Sequence, residues 1–132
     1  MSVDTFDPSA LPQSLTEADL AVLLRAAEDL EATQFGLSDH EVARLGRLVR
    51  QDGADWQLAS KDLSNVDLIA LIRLLVLAEG QLSGWESGAK SPVIVLAGRL
   101  KDAKAYPAEL TAWIKANSEN RFLPYGSLLD RL

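Results

Sequence analysis

The chain has 132 residues, 48% of them apolar, and no cysteine. This length suits one domain with a core of its own, and the lack of cysteine excludes disulfides, thiolate metal sites and cysteine nucleophiles. Net charge is −6, with 12 acids against 5 bases in residues 1–66 and 7 against 8 in residues 67–132, a field that repels nucleic acid and anionic membrane.

Residues 1–13 contain Pro8 and Pro12 and no apolar periodicity. They read as a flexible N-terminal arm ahead of a single helical domain over 14–132. The acidic opening lacks the apolar stretch of a signal peptide, and the composition fits a cytoplasmic protein of bacterial type.

The first helix is expected from about Leu15 to Thr33, started by a capping box of Ser14 with Glu17 and stopped by Gly36. Leu20, Leu23, Leu24, Ala27 and Leu30 form its apolar stripe, and Glu28, Asp29 and Glu31 its solvated side. Ser38 and Glu41 form a capping box for a second helix, with Val42, Leu45, Gly46 and Val49 inward and Arg44, Arg47 and Arg50 outward. Asp52 and Gly53 end it. Residues 54–62, with Trp56 and Leu58, form at most one loose turn.

The third helix, Ser64 to about Gly80, is apolar nearly all round and is expected to be the buried centre of the fold. Its longest apolar run, Leu68 to Ala78, is too short to span a bilayer and contains Arg73. Residues 83–90 form the main loop. Ser91 as N-cap and Pro92 at the first helical position open a fourth helix to about Lys104. Tyr106 and Pro107 lead into a fifth, with Leu110, Trp113 and Ile114 inward and Asn117 to Asn120 at its end. Pro124 blocks continuation, and residues 126–132 read as a short terminal helix. The fold class is therefore all-α, a compact domain of about five helices.

A near-repeat runs through this pattern. Leu15-Thr16-Glu17-Ala18-Asp19-Leu20-Ala21-Val22-Leu23-Leu24-Arg25 returns 48 residues later as Leu63-Ser64-Asn65-Val66-Asp67-Leu68-Ile69-Ala70-Leu71-Ile72-Arg73. Each copy has a hydroxyl N-cap, an acid in the first turn and helically spaced apolar residues. This suggests two related helix pairs around the central helix, or two independently built amphipathic starts. A weaker echo, Gly46-Arg47-Leu48 and Gly98-Arg99-Leu100, suggests two close helix crossings, because glycine inside a helix costs about 1 kcal/mol relative to alanine.

Candidate chemistry is sparse. Gly84 to Ser91 falls one residue short of a phosphate-loop pattern, with Ala89 where the second glycine belongs and a helix instead of a strand before it. Nucleotide hydrolysis is not expected. What survives is anion binding by Lys90 and Ser91 at a helix start, with Arg73 as a buried arginine that pairs with a carboxylate or grips an anionic ligand. His40 is the sole histidine and reads as a solvent-facing residue, so neither a metal nor a cofactor is expected.

Arg44, Arg47 and Arg50 would form one basic face with Arg99, Lys101 and Lys104 if the second and fourth helices are neighbours, though aromatic interleaving is missing. The apolar C-terminal stretch either docks on its own domain or meets a partner, with Arg121, Phe122 and Tyr125 as candidate contacts. The leading expectation is a non-catalytic protein-interaction or adaptor module with an unknown protein partner. Anionic-ligand or nucleotide binding is the alternative, and nucleic-acid binding the third.

Overall fold

A computed structural model describes residues 15–50 and 54–126. Among these residues the protein is all-helical, with six α-helices: α1 (Glu17–Ala27), α2 (Asp39–Val49), α3 (Ala54–Ala59), α4 (Asn65–Gln81), α5 (Pro92–Asp102) and α6 (Leu110–Asn117). Short 3₁₀ turns lie at Thr33–Gly36 and Gly88–Lys90. No described helix is long and apolar enough to cross a membrane. The proposed arm over 1–13, Ser14 of the expected capping box, and the last leucines of the chain lie outside the described residues.

α4 is the centre of the fold, as its composition requires. Leu68, Leu71, Ile72, Leu74, Leu75, Val76 and Ala78 are buried, and the helix packs chiefly against α5 and α1, then α6. Its circumference is not wholly covered. Val66 and Arg73 face solvent, which corrects the expectation of a buried arginine. The Arg73 guanidinium lies over the Trp113 ring of α6, 5.7 Å from its centroid, with its charge in water.

The first helix is shorter than its periodicity implied. It starts at Glu17, where Thr16 accepts from the Asp19 amide and Asp19 reaches back to the Thr16 amide in a complete capping box. It ends at Ala27, as the Glu28 and Asp29 amides switch to i−3 carbonyl partners. Gln34, Phe35 and Gly36 then take left-handed backbone angles (φ 51°, 56° and 75°). For the two non-glycine residues this costs about 1–3 kcal/mol each. Burial of Phe35 and two hydrogen bonds from Gln34, to the Leu37 carbonyl and the Asp39 carboxylate, offset it. The turn brings the chain to the expected Ser38–Glu41 capping box of α2.

α1 and α2 are fastened by Arg44, whose Nε and Nη2 meet the two Asp19 carboxylate oxygens at 2.9 and 3.0 Å. Burial works against ionisation of Asp19. The hydrogen bonds from Arg44 and from the Thr16 amide and hydroxyl outweigh it and hold the carboxyl below its ordinary value.

Two tryptophans, one on α3 and one on the loop before α5, anchor their segments to α2. Trp56 of α3 donates to the Leu48 carbonyl and Trp85 to the Val42 carbonyl, both at 3.0 Å, and both rings are 1% exposed. Gly46 is the seat of the second ring: a Cβ there would lie 2.9 Å from Trp85 Cδ1 and Nε1. The close approach is therefore by a loop tryptophan and not by a helix. At Gly98 a Cβ would meet nothing within 4 Å, so the second expected crossing is absent. The loose turn expected over 54–62 is a true helix followed by a hydrogen-bonded turn, and Leu58 on the helix is exposed.

α5 begins as expected, with Pro92 in its first turn and the Ser91 hydroxyl accepting from the Val93 amide. It ends at Asp102, where the Ala105 amide bonds the Leu100 carbonyl and the Lys104 amide the Lys101 carbonyl. This is the double bond of a Schellman ending, made with Lys104 at φ 56° in place of glycine.

The segment after α6 docks on its own domain. Leu123 and Pro124 are buried, and the Gly126 amide closes a turn on the Phe122 carbonyl. Thr111 links the Tyr106 and Tyr125 hydroxyls at 2.8 and 3.0 Å, while the Lys101 ammonium sits 3.8 Å from the Tyr125 ring centroid. Burial pushes the Tyr106 hydroxyl up to about 12. At Tyr125 burial is outweighed by the Thr111 and Tyr106 hydrogen bonds and the Lys101 charge, so its hydroxyl moves down.

Candidate functional site

A cleft of about 880 Å³ opens between the C-terminal turns of α4, the loop before α5 and the chain leaving α6. Val76, Glu79 and Gly80 come from α4, Glu86 and Gly88 from the loop, and Asn117 to Phe122 form the third wall. The size is within the range of small-ligand and peptide clefts.

The three walls are tied at one place. Glu79 Oε2 accepts from the Ser87 amide at 3.1 Å and from Asn120 Nδ2 at 3.2 Å. The same Asn120 amide group donates to the Gly88 carbonyl at 3.0 Å, and its Oδ1 accepts from the Phe122 amide. The Ser118 hydroxyl accepts from the Asn120 amide. Helix end, loop and exit strand of chain are thus held in register through the Glu79 and Asn120 side chains. Sequence reasoning placed Asn120 only at a helix end; nothing in its spacing marked it as a clamp across 32 and 41 residues of chain.

Gly80 shapes the opening. It sits in α4 without the positive φ that would call for glycine, and a Cβ there would meet nothing within 4 Å. Neither backbone nor packing requires glycine at this position. Its effect is to leave the cleft wall bare, at a cost to the helix of up to about 1 kcal/mol relative to alanine.

The charge of the cleft is acidic, with Glu79, Glu86 and Glu119 against Arg121. Neither Glu86 nor Glu119 forms an ion pair among the described residues. Among those residues no group of three His, Cys, Asp or Glu side chains converges to hold a metal ion, so these carboxylates are spread around the opening and do not focus on one point.

The sequence-derived candidates fall in different places. Arg121 and Phe122 line the cleft, while Tyr125 is held away from it in the hydroxyl chain with Thr111. Of the proposed anion site, Ser91 is buried as a helix cap and Lys90 is exposed on the 3₁₀ turn. Arg73 lies two turns before the end of α4, about 12 Å along the axis, and faces α6. The loop that carries Lys90 contributes Glu86 and Gly88 to an acidic opening.

The proposed basic face is divided in use. Arg44 is bound to Asp19. Arg99 donates to the Ser60 hydroxyl at 2.8 Å and to the Gln57 carbonyl, closing α3 on α5. Lys101 covers Tyr125, Lys104 ends α5, Arg47 is exposed on α2 and Arg50 is exposed at its C-cap. His40 is exposed in the first turn of α2, and Glu28, Asp29 and Glu31 are exposed beyond α1. Taken together, the described residues form an all-α fold with an open acidic groove. Compared with protein-family models, curated proteins and solved structures, the chain matches none.

Proposed function

We propose that this is a non-catalytic interaction module of the cytoplasm that receives a segment of a partner protein in the cleft between α4 and the chain leaving α6. The observation that carries this reading is Gly80. A helix gives up stability there, no contact in the fold asks for it, and the return is an open wall beside a rigidly clamped rim. Walls fixed by Glu79 and Asn120 favour binding, because little order has to be created when the partner arrives. Phe122, half-buried on the third wall, offers an aromatic contact of the kind that anchors interfaces.

The test is Gly80→Trp, which places an indole on the cleft wall at a position where a Cβ meets nothing within 4 Å. A peptide-display selection on the wild-type protein, counter-selected against Gly80→Trp, should enrich a defined sequence class. The variant should melt at or above the wild-type temperature. Failure to recover any peptide sensitive to Gly80→Trp would overturn the cleft as the binding site.

A further inference from the structure

The cleft has a charge that its construction does not need, and that charge selects an occupant. Glu79 is half-buried and uses Oε2 in the clamp. Glu86 and Glu119 are exposed lining residues, one on the loop and one on the chain after α6. Carboxylates gathered on the lining of one opening raise each other's energy, and a cationic occupant relieves that cost. The whole chain carries −6, which also draws cationic partners toward the opening.

A single metal ion does not fit this arrangement, because the carboxylates do not converge. Phosphate-bearing ligands are repelled by it. Separated acids around an aromatic and small-residue wall suit separated cationic groups with an apolar group between them. Resting on the reading of the cleft as the binding site, we infer that its occupant is a short extended peptide segment in which lysine or arginine side chains flank an apolar residue. The basic heads meet Glu86 and Glu119, and the apolar side chain lies against Phe122 over the bare backbone at Gly80. The segment enters where Gly80 and Gly88 present no side chain.

The probe is a fluorescein-labelled nonapeptide of three basic residues alternating with two leucines between Gly-Ser ends, titrated by anisotropy into the full chain at low salt. Two counterparts replace the basic residues by glutamate or the leucines by serine. The basic peptide should bind at least about tenfold more tightly than the acidic one, and its affinity should fall as salt is added. The double substitution Glu86→Gln with Glu119→Gln alters two exposed side chains and leaves the clamp intact. It should weaken the basic peptide about tenfold, the scale of two exposed charge pairs, and Gly80→Trp should abolish binding.

Equal binding of acidic and basic peptides, or no response to the double substitution, would overturn the inference. A Gly80-sensitive peptide class of different charge would overturn it too while leaving the cleft reading intact. Basic-peptide binding that ignores Gly80→Trp would mark diffuse attraction to an acidic surface and would overturn the inference, while the cleft reading stands or falls on the peptide selection.

Discussion

The segments Leu15–Arg25 and Leu63–Arg73 have the same pattern, and α1 and α4, which they start, pack against each other. At the start of α1, Asp19 completes a capping box and is then gripped by Arg44 of α2. At the start of α4, Ser64 accepts from the Asp67 amide, and among the described residues Asp67 has no such cross-helix clamp. Arg25 reaches Glu41 of α2 at 3.2 Å, whereas Arg73 turns to Trp113 of α6. The following helices differ in the same sense: Trp85 packs against Gly46, whereas a Cβ at Gly98 would meet nothing within 4 Å. The amino-terminal pair is held by specific polar and close-packed contacts, the carboxy-terminal pair by the apolar bulk of α4. A shared local pattern thus sets where a helix begins, and the neighbours decide what its residues do.

The sharpest way to break this contrast is at the two glycines. Gly46→Ala should force the buried Trp85 ring aside and weaken its bond to the Val42 carbonyl. The expected loss is about 3 kcal/mol, at the upper end of overpacking costs, read as a lower denaturation midpoint. Gly98→Ala has free space and should stabilise by up to about 1 kcal/mol through helix propensity. Equal effects at the two sites would mean that Trp85 does not pack on α2.

The next largest difference should come from the first-turn acids. Asp19→Asn removes a charged clamp of two short hydrogen bonds and should cost about 2 kcal/mol near neutral pH, while Asp67→Asn should change the midpoint by a few tenths. The Asp19 contribution has a definite pH signature. Its carboxyl is depressed in the folded state, so the unfolded chain takes up the proton first as the solution is acidified. The stabilisation is complete above about pH 5. It disappears as the pH falls through the depressed folded value, where the wild-type and Asp19→Asn melting curves should converge. Parallel curves from neutral to strong acid would refute the clamp.

The smallest effects belong to the arginines that close the repeat. Arg73→Ala should cost about 0.5 kcal/mol, the scale of an exposed cation–aromatic contact. Arg25→Ala, with its side chain 57% exposed, should leave the midpoint unchanged, because exposed pairs gain little over water. Urea denaturation of both variants beside the wild type checks this. A large loss at Arg73 would restore the view that it is a buried structural charge.

Much of the fold could be read along the chain because its signals are local. The capping pair Ser38–Glu41, the caps Ser64 and Ser91, and Pro92 in the first turn of α5 act within one turn of helix, so adjacent residues suffice to place them. The apolar run Leu68–Ala78 fixed α4 as the core helix for the same reason: little else can be done with so much greasy surface in water. What failed depended on partners distant in sequence. The left-handed turn after α1 carries Phe35 into the core, Arg73 stays exposed while lying over Trp113 of α6, and only the tertiary structure shows that Gly46 makes room for a ring 39 residues away. The cleft belongs wholly to this second class. Arg121 and Phe122 could be suspected from an unusually apolar chain end, but Glu79, Gly80 and Asn120 acquire meaning only when three separate segments meet, since a cavity is a property of the space between elements.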